Sequence, residues 1–95
     1  MNAGTESRVA HDAAASRFTI SVDGQQAELH YQREGEVMVI THTEVPPAIG
    51  GRGIAAQLAK AALEHARAQG WKVRPACAFA EAYLRKHHEY SDLLA

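Results

Sequence analysis

The sequence predicts an α/β fold: an antiparallel three-stranded meander extended by a parallel strand, with a crossover helix and a C-terminal helix. Three observations predict it. Apolar residues alternate from Arg17 onward, the period becomes helical at Gly53, and a short strand-like run follows Gly70. A length of 95 residues supports one domain. Chains of this size bury only about 60–65% of their unfolded surface, so a homodimer is an expected way to extend a thin core.

Residues 1–16 are rich in Ala, Ser and charge, with too little apolar bulk to offset ordering entropy. They are expected to form a disordered tail ahead of a domain over 17–95. They have no apolar h-region, and Glu6 and Asp12 interrupt a transit-peptide pattern, so a cytoplasmic location is expected. From Arg17, Phe18, Ile20 and Val22 face one way, and Thr19 and Ser21 the other. Asp23-Gly24 then signals a two-residue hairpin, because both residues tolerate positive φ. Ala27, Leu29 and Tyr31 share one face of the next strand, and Glu34-Gly35-Glu36 makes a second turn. The third strand starts Val37-Met38-Val39-Ile40, continuously apolar as for a strand covered on both faces.

Val45-Pro46-Pro47 stops that strand, since proline donates no ladder hydrogen bond and constrains the residue before it. A helix is predicted from about Gly53 to Gln69. Ile54, Leu58 and Ala62 form one ridge and Ala55, Ala59, Leu63 and Ala66 the next, while Lys60, Glu64 and Arg67 fall toward solvent. Gly70 ends it in a left-handed conformation. The run from Trp71 to Pro75 returns beside the third strand, which makes a right-handed crossover. Phe79, Tyr83 and Leu84 recur at helical spacing to about His87.

Composition excludes several functions. A net charge of -1 argues against nucleic acid, which needs a basic patch. No apolar run approaches the roughly 20 residues that span a bilayer. A single cysteine excludes an intrachain disulfide. His87-His88 is not a metal motif, because adjacent helical residues point in different directions.

Gly51-Arg52-Gly53 lies between a strand and a helix N-terminus. The first-turn N–H groups there lack intrahelical partners and carry the positive end of the helix dipole. Glycines let a pyrophosphate come close, and Arg52 adds a full positive charge. Gly51, Gly53 and Ala56 also satisfy a dinucleotide fingerprint. That reading expects an acidic residue at the end of the following strand, and Trp71-Lys72-Val73-Arg74-Pro75 has none.

With Ile54-Ala55, the turn resembles the cofactor motif of the GNAT acetyltransferase superfamily. The stretch from Thr41 to Pro47, Gly70, Val73 to Phe79, Tyr83 and His87-His88-Glu89-Tyr90 is similar to a subgroup of minimal GNAT-like N-acetyltransferases. Gly50 stands where that family usually has Arg, and Ala48 where a polar or basic residue is common, so the cradle carries less charge. The resemblance implies acetyl-CoA bound along Val45 and Gly50 to Ala55, with its pyrophosphate at Gly51, Arg52, Gly53, Ile54 and Ala55 and its pantetheine arm beside the strand ending near Val45. It implies a thioester near His42 and Cys77, and transfer to an unidentified amine, a small molecule or a protein lysine.

His42 is the expected base, because imidazole titrates near neutrality. Cys77 precedes the second helix, where the helix dipole favours a thiolate, and is the expected acid or transient nucleophile. Against these stand a structural histidine and a buried small hydrophobe. Tyr83 is either a core aromatic or an acid. The rival to the enzyme is a non-catalytic acyl-CoA-binding module, dimeric in one form. A redox thiol ranks last, for want of a resolving cysteine.

Overall fold

Five strands and two helices follow one another in a computed structural model that describes residues 9–95: β1 (Ala10–Asp12), β2 (Arg17–Val22), β3 (Gln25–Glu34), β4 (Val37–Glu44), α1 (Ile54–Gln69), β5 (Lys72–Pro75) and α2 (Ala78–Lys86). The sheet order is β1-β2-β3-β4-β5, antiparallel except for the parallel β4–β5 pair joined through α1. The predicted meander, crossover helix and return strand are all present.

Turn chemistry explains the meander. Asp23 and Gly24 both take positive φ, 50° and 77°, so the β2–β3 turn matches the twist of its strands. Alternation then sorts the faces. Phe18, Ile20, Ala27, Leu29, Tyr31, Met38, Ile40 and Val73 are buried on one side, together with Leu58, Ala59, Ala62 and Leu63 of α1 and Ala80, Tyr83 and Leu84 of α2. Both helices therefore pack on one face. The opposite face carries Thr19, Glu28, His30, Gln32 and Arg74, and no helix covers it among the described residues. Val39 is buried on that face between its register neighbours Gln32 and Arg74.

Gly70 (φ 77°) closes α1 as expected: its N–H donates to the Arg67 carbonyl and the Trp71 N–H to that of Ala66. Trp71 thus belongs to the cap, and β5 starts one residue later. After α2, a 3-10 segment, His88–Leu93, buries Tyr90 and Leu93. Its Tyr90 hydroxyl donates to Glu64 (2.6 Å), and Arg67 binds the Asp92 carboxylate with both terminal nitrogens (2.9 and 3.2 Å). These contacts fasten the C-terminus to α1.

The N-terminal boundary needs correction. Residues 1–8 of the expected tail lie outside the described residues, whereas Ala10–Asp12 pair with β2 as an edge strand. One side chain explains it. The His11 ring stacks on Phe18 (4.2 Å between centroids), its Nε2 is 2.6 Å from the Tyr31 hydroxyl, and it meets the edge of His65. An Ala- and Ser-rich composition does not reveal such a contact.

Burial, then His65, pushes the His11 imidazole below its ordinary value, against a smaller opposing effect of Asp12. The fold therefore disfavours protonation. The unfolded chain takes up the extra proton first, so this contribution is intact above about pH 6.5 and is lost as pH falls toward the folded value. Urea midpoints should decline between pH 7.5 and 5.5, and less steeply in His11→Asn. Equal declines in the two proteins would assign the effect to another group.

Candidate functional site

β4 outlasts its partner. The β4–β5 ladder ends at Ile40 opposite Pro75, with one further bond from the Ala76 N–H to the Ile40 carbonyl. Proline has no N–H to continue it, and the chain then turns into α2. His42, Thr43 and Glu44 still pair with β3, but none of Thr41 to Glu44 has a ladder partner on the β5 side among the described residues. This edge of β4, free of strand pairing toward β5, is the slot beside β4.

The glycine turn lies at the end of the same strand. Val45 is half-buried against the core, and a 3-10 turn, Pro47–Ile49, anchors the loop through buried Ile49. Gly51 and Gly53 take positive φ, 80° and 73°, which L side chains rarely adopt. Open space surrounds both positions, so conformation rather than crowding calls for glycine. Gly50 differs: its φ of -66° is ordinary, and an added Cβ would make ordinary contacts with the Pro47 carbonyl at 3.4 Å and with the Pro46 carbonyl and Pro47 Cα at 3.9 Å. The backbone would accept a larger residue there.

Gly53 is the N-cap of α1, with no side-chain cap and no acidic residue in the first turn. The first helical bond runs from the Gln57 N–H to the Gly53 carbonyl. The amides of Ile54, Ala55 and Ala56 precede it, leaving an uncapped, positively polarised end. Ile54 is buried and fixes the first turn, while Ala55 is half-buried. Arg52, half exposed, reaches sideways to Asp23 on the β2–β3 turn (2.7 Å). The sequence marks Asp23 only as a turn residue; its role as counter-ion to Arg52 follows from a contact 29 residues away.

His42 projects from this edge of β4 to the open face, and Cys77 meets the neighbouring Thr43. A bulge between His30 and Tyr31 in register leaves Thr41 as the extra residue of β4, and His42 then stands opposite His30 on the open face. The two rings are 5.8 Å apart, and His42 Nε2 lies 3.5 Å from Glu44 Oε1. Cys77 is the half-buried N-cap of α2, packed against the core. Its Sγ is 3.8 Å from the Thr43 hydroxyl, and no hydrogen bond joins it to His42 among the described residues. Thr43 is a slot residue that sequence reasoning missed, because the bulge decides which β4 side chain faces Cys77. Tyr83 is core: it is buried, stacked on His87 (3.9 Å), and burial raises its phenol, which weakens it as an acid.

The family model for GCN5-related N-acetyltransferase matches residues 17–93. The chain belongs to that family. Human Protein NATD1 is 38% identical over 88% of this chain and 77% of its own length, and the Xenopus tropicalis protein is 34% identical over 92% and 83%. Among solved structures, the solution NMR structure of a GCN5-like protein from Staphylococcus aureus superposes with a TM-score of 0.73 at 31% identity, covering 92% of this chain and 86% of its own. In this GCN5-related domain, the turn from Gly50 to Ala55 follows the free end of β4 through the Pro47–Ile49 turn. Among the described residues, no group of three or more His, Cys, Asp or Glu side chains is placed to hold a metal ion. No helix there is long and apolar enough to cross a membrane.

Proposed function

We propose that this protein transfers an acetyl group from acetyl-CoA to an amine. The observation that carries the reading is the uncapped N-terminus of α1, reached through two positive-φ glycines, at the end of a strand whose last four residues lack a β5 partner. The cradle suits a pyrophosphate: amides of Ile54 and Ala55, room above Gly51 and Gly53, and Arg52 in the turn itself, its guanidinium held by Asp23. Val45 and the free edge of β4 line the way for an extended amide-bearing arm, which a strand edge binds by main-chain hydrogen bonds.

Acetyl-CoA supplies an activated thioester: the acceptor nitrogen bonds to the carbonyl carbon as the C–S bond breaks, and the departing sulfur takes a proton. His42, exposed on the open face, takes the proton that the amine gives up and passes it to water. Cys77, beside Thr43, supplies the proton for the sulfur and recovers it from water. Amine-dependent release of CoA, read with a thiol reagent, tests this. His42→Ala should lower the rate about a hundredfold or more, the usual worth of a positioned acid or base, without weakening acetyl-CoA binding. Binding with no amine-dependent release would instead support the acyl-CoA-binding module. A mass gain of one acetyl group on Cys77, without amine, would make the thiol a nucleophile.

A further inference from the structure

β1 is lightly held. Three register pairs join it to β2, and all three of its residues are exposed overall. Val9, just before it, is half-buried against the core, and His11 supplies its contacts to β3 and α1. The turn back to β2 bears strain as well: Ser16 takes a φ of 56°, a left-handed conformation that costs a residue with a side chain. Few buried contacts and a strained hinge place this segment at the low end of local stability.

The contacts of His11 depend on charge. Its ring lies flat on Phe18, its Nε2 is 2.6 Å from the Tyr31 hydroxyl, and its centroid is 4.4 Å from that of His65 on α1. His65 in turn meets the edge of Trp71 (5.3 Å), and the Arg33 guanidinium sits 4.0 Å over the Trp71 ring. A permanent cation therefore already stands at this cluster. Asp12 is the carboxylate that acts on His11, and it lies in register opposite Arg17 on β2. The face of Phe18 attracts one imidazolium. A second, with its ring centre 4.4 Å away, repels the first.

We propose that β1 is a proton-released strap: protonation of both His11 and His65 undocks it while the rest of the fold stays closed. Because β1 is exposed, protons reach His11 without opening the core. Once β1 is released, both imidazoles bind protons at the ordinary value of about 6.5, whereas the docked pair accommodates one. Docking is therefore full above about pH 6.5, and the ratio of docked to released strand falls by up to about tenfold per pH unit below it. Release makes β2 the sheet edge, and its backbone from Arg17 to Thr19 becomes free to pair with another extended chain.

NMR of the isotope-labelled full chain at pH 7.5 and 5.5 tests the strap. The nuclear Overhauser contact between the His11 and Phe18 rings should be present at pH 7.5 and lost at pH 5.5. The amides of Leu58 and Leu63 on α1, both buried, should keep their protection from hydrogen exchange at both values. His65→Gln removes the second charge, and at pH 5.5 its docked fraction of β1 should exceed that of the wild type by up to about tenfold. His11→Phe keeps a flat ring on Phe18 without a titratable group, so its β1–β2 backbone contacts should persist at both pH values. A His11–Phe18 contact that survives at pH 5.5 in the wild type would overturn the proposal. So would an equal loss in His65→Gln, which takes the second imidazole out of the device, or a loss of α1 protection together with β1, which makes the opening global.

Discussion

Gly53→Glu is expected to abolish the stabilisation that acetyl-CoA gives this protein, while Gly53→Ala retains most of it. A ligand at a hundred times its Kd adds about 2.7 kcal/mol, which raises the midpoint of a domain this small by about 10 °C or more. Both variants carry the same backbone strain, because Gly53 takes a φ of 73°, and a Cβ there costs about 1–2 kcal/mol. Both midpoints should therefore drop without ligand. The Cβ that both carry meets no crowding, since nothing lies within 4 Å of it. What separates the variants is charge: glutamate puts a carboxylate at the uncapped end of α1, against the amides a pyrophosphate would use. Differential scanning fluorimetry with and without acetyl-CoA reads the difference. A full shift in folded Gly53→Glu would remove the pyrophosphate from this turn.

Leu29→Ala should cost about 2–5 kcal/mol, enough to take much of the roughly 5–14 kcal/mol available to a chain of this length. Leu29 is fully buried at the middle of the sheet, opposite Phe18 on β2 and Thr43 on β4. Truncation leaves a cavity under α1 that rigid strands on both sides cannot close. The midpoint should fall by about 10 °C or more. Leu94→Ala is the matched control: at 44% exposure it should change stability by less than about 0.5 kcal/mol. Thermal unfolding by circular dichroism compares them. A cost at Leu29 no greater than at Leu94 would mean that the sheet–α1 interface is not the stabilising core.

The two substitutions probe different kinds of information in the chain. Leu29 was legible because alternation along β3 is a local pattern, and Gly53 because the switch from strand to helical period frames it. The Asp23-Gly24 turn, the ridges of α1, the Gly70 cap and the stop at Val45-Pro46-Pro47 were legible for the same reason. Each depends on φ preferences and side-chain spacing within a few residues. Resemblance in the Gly51-to-Ala55 turn and its surroundings added the family, which the match over residues 17–93 bears out.

Contacts between distant residues were not legible. β1 exists because His11 finds Phe18 and Tyr31, and Arg52 is balanced by Asp23. Thr43 rather than His42 meets Cys77 because one extra residue in β4 reverses the face of everything after it. A bulge of that kind leaves no mark in local periodicity, since it is settled by the whole ladder and by what the helices cover. The sequence by itself determined the order of strands, turns and helices, and the glycine turn that opens α1. Only the tertiary structure decided which side chains share the slot and which share the open face, because strand register is chosen by the summed burial of the sheet and not by any one segment.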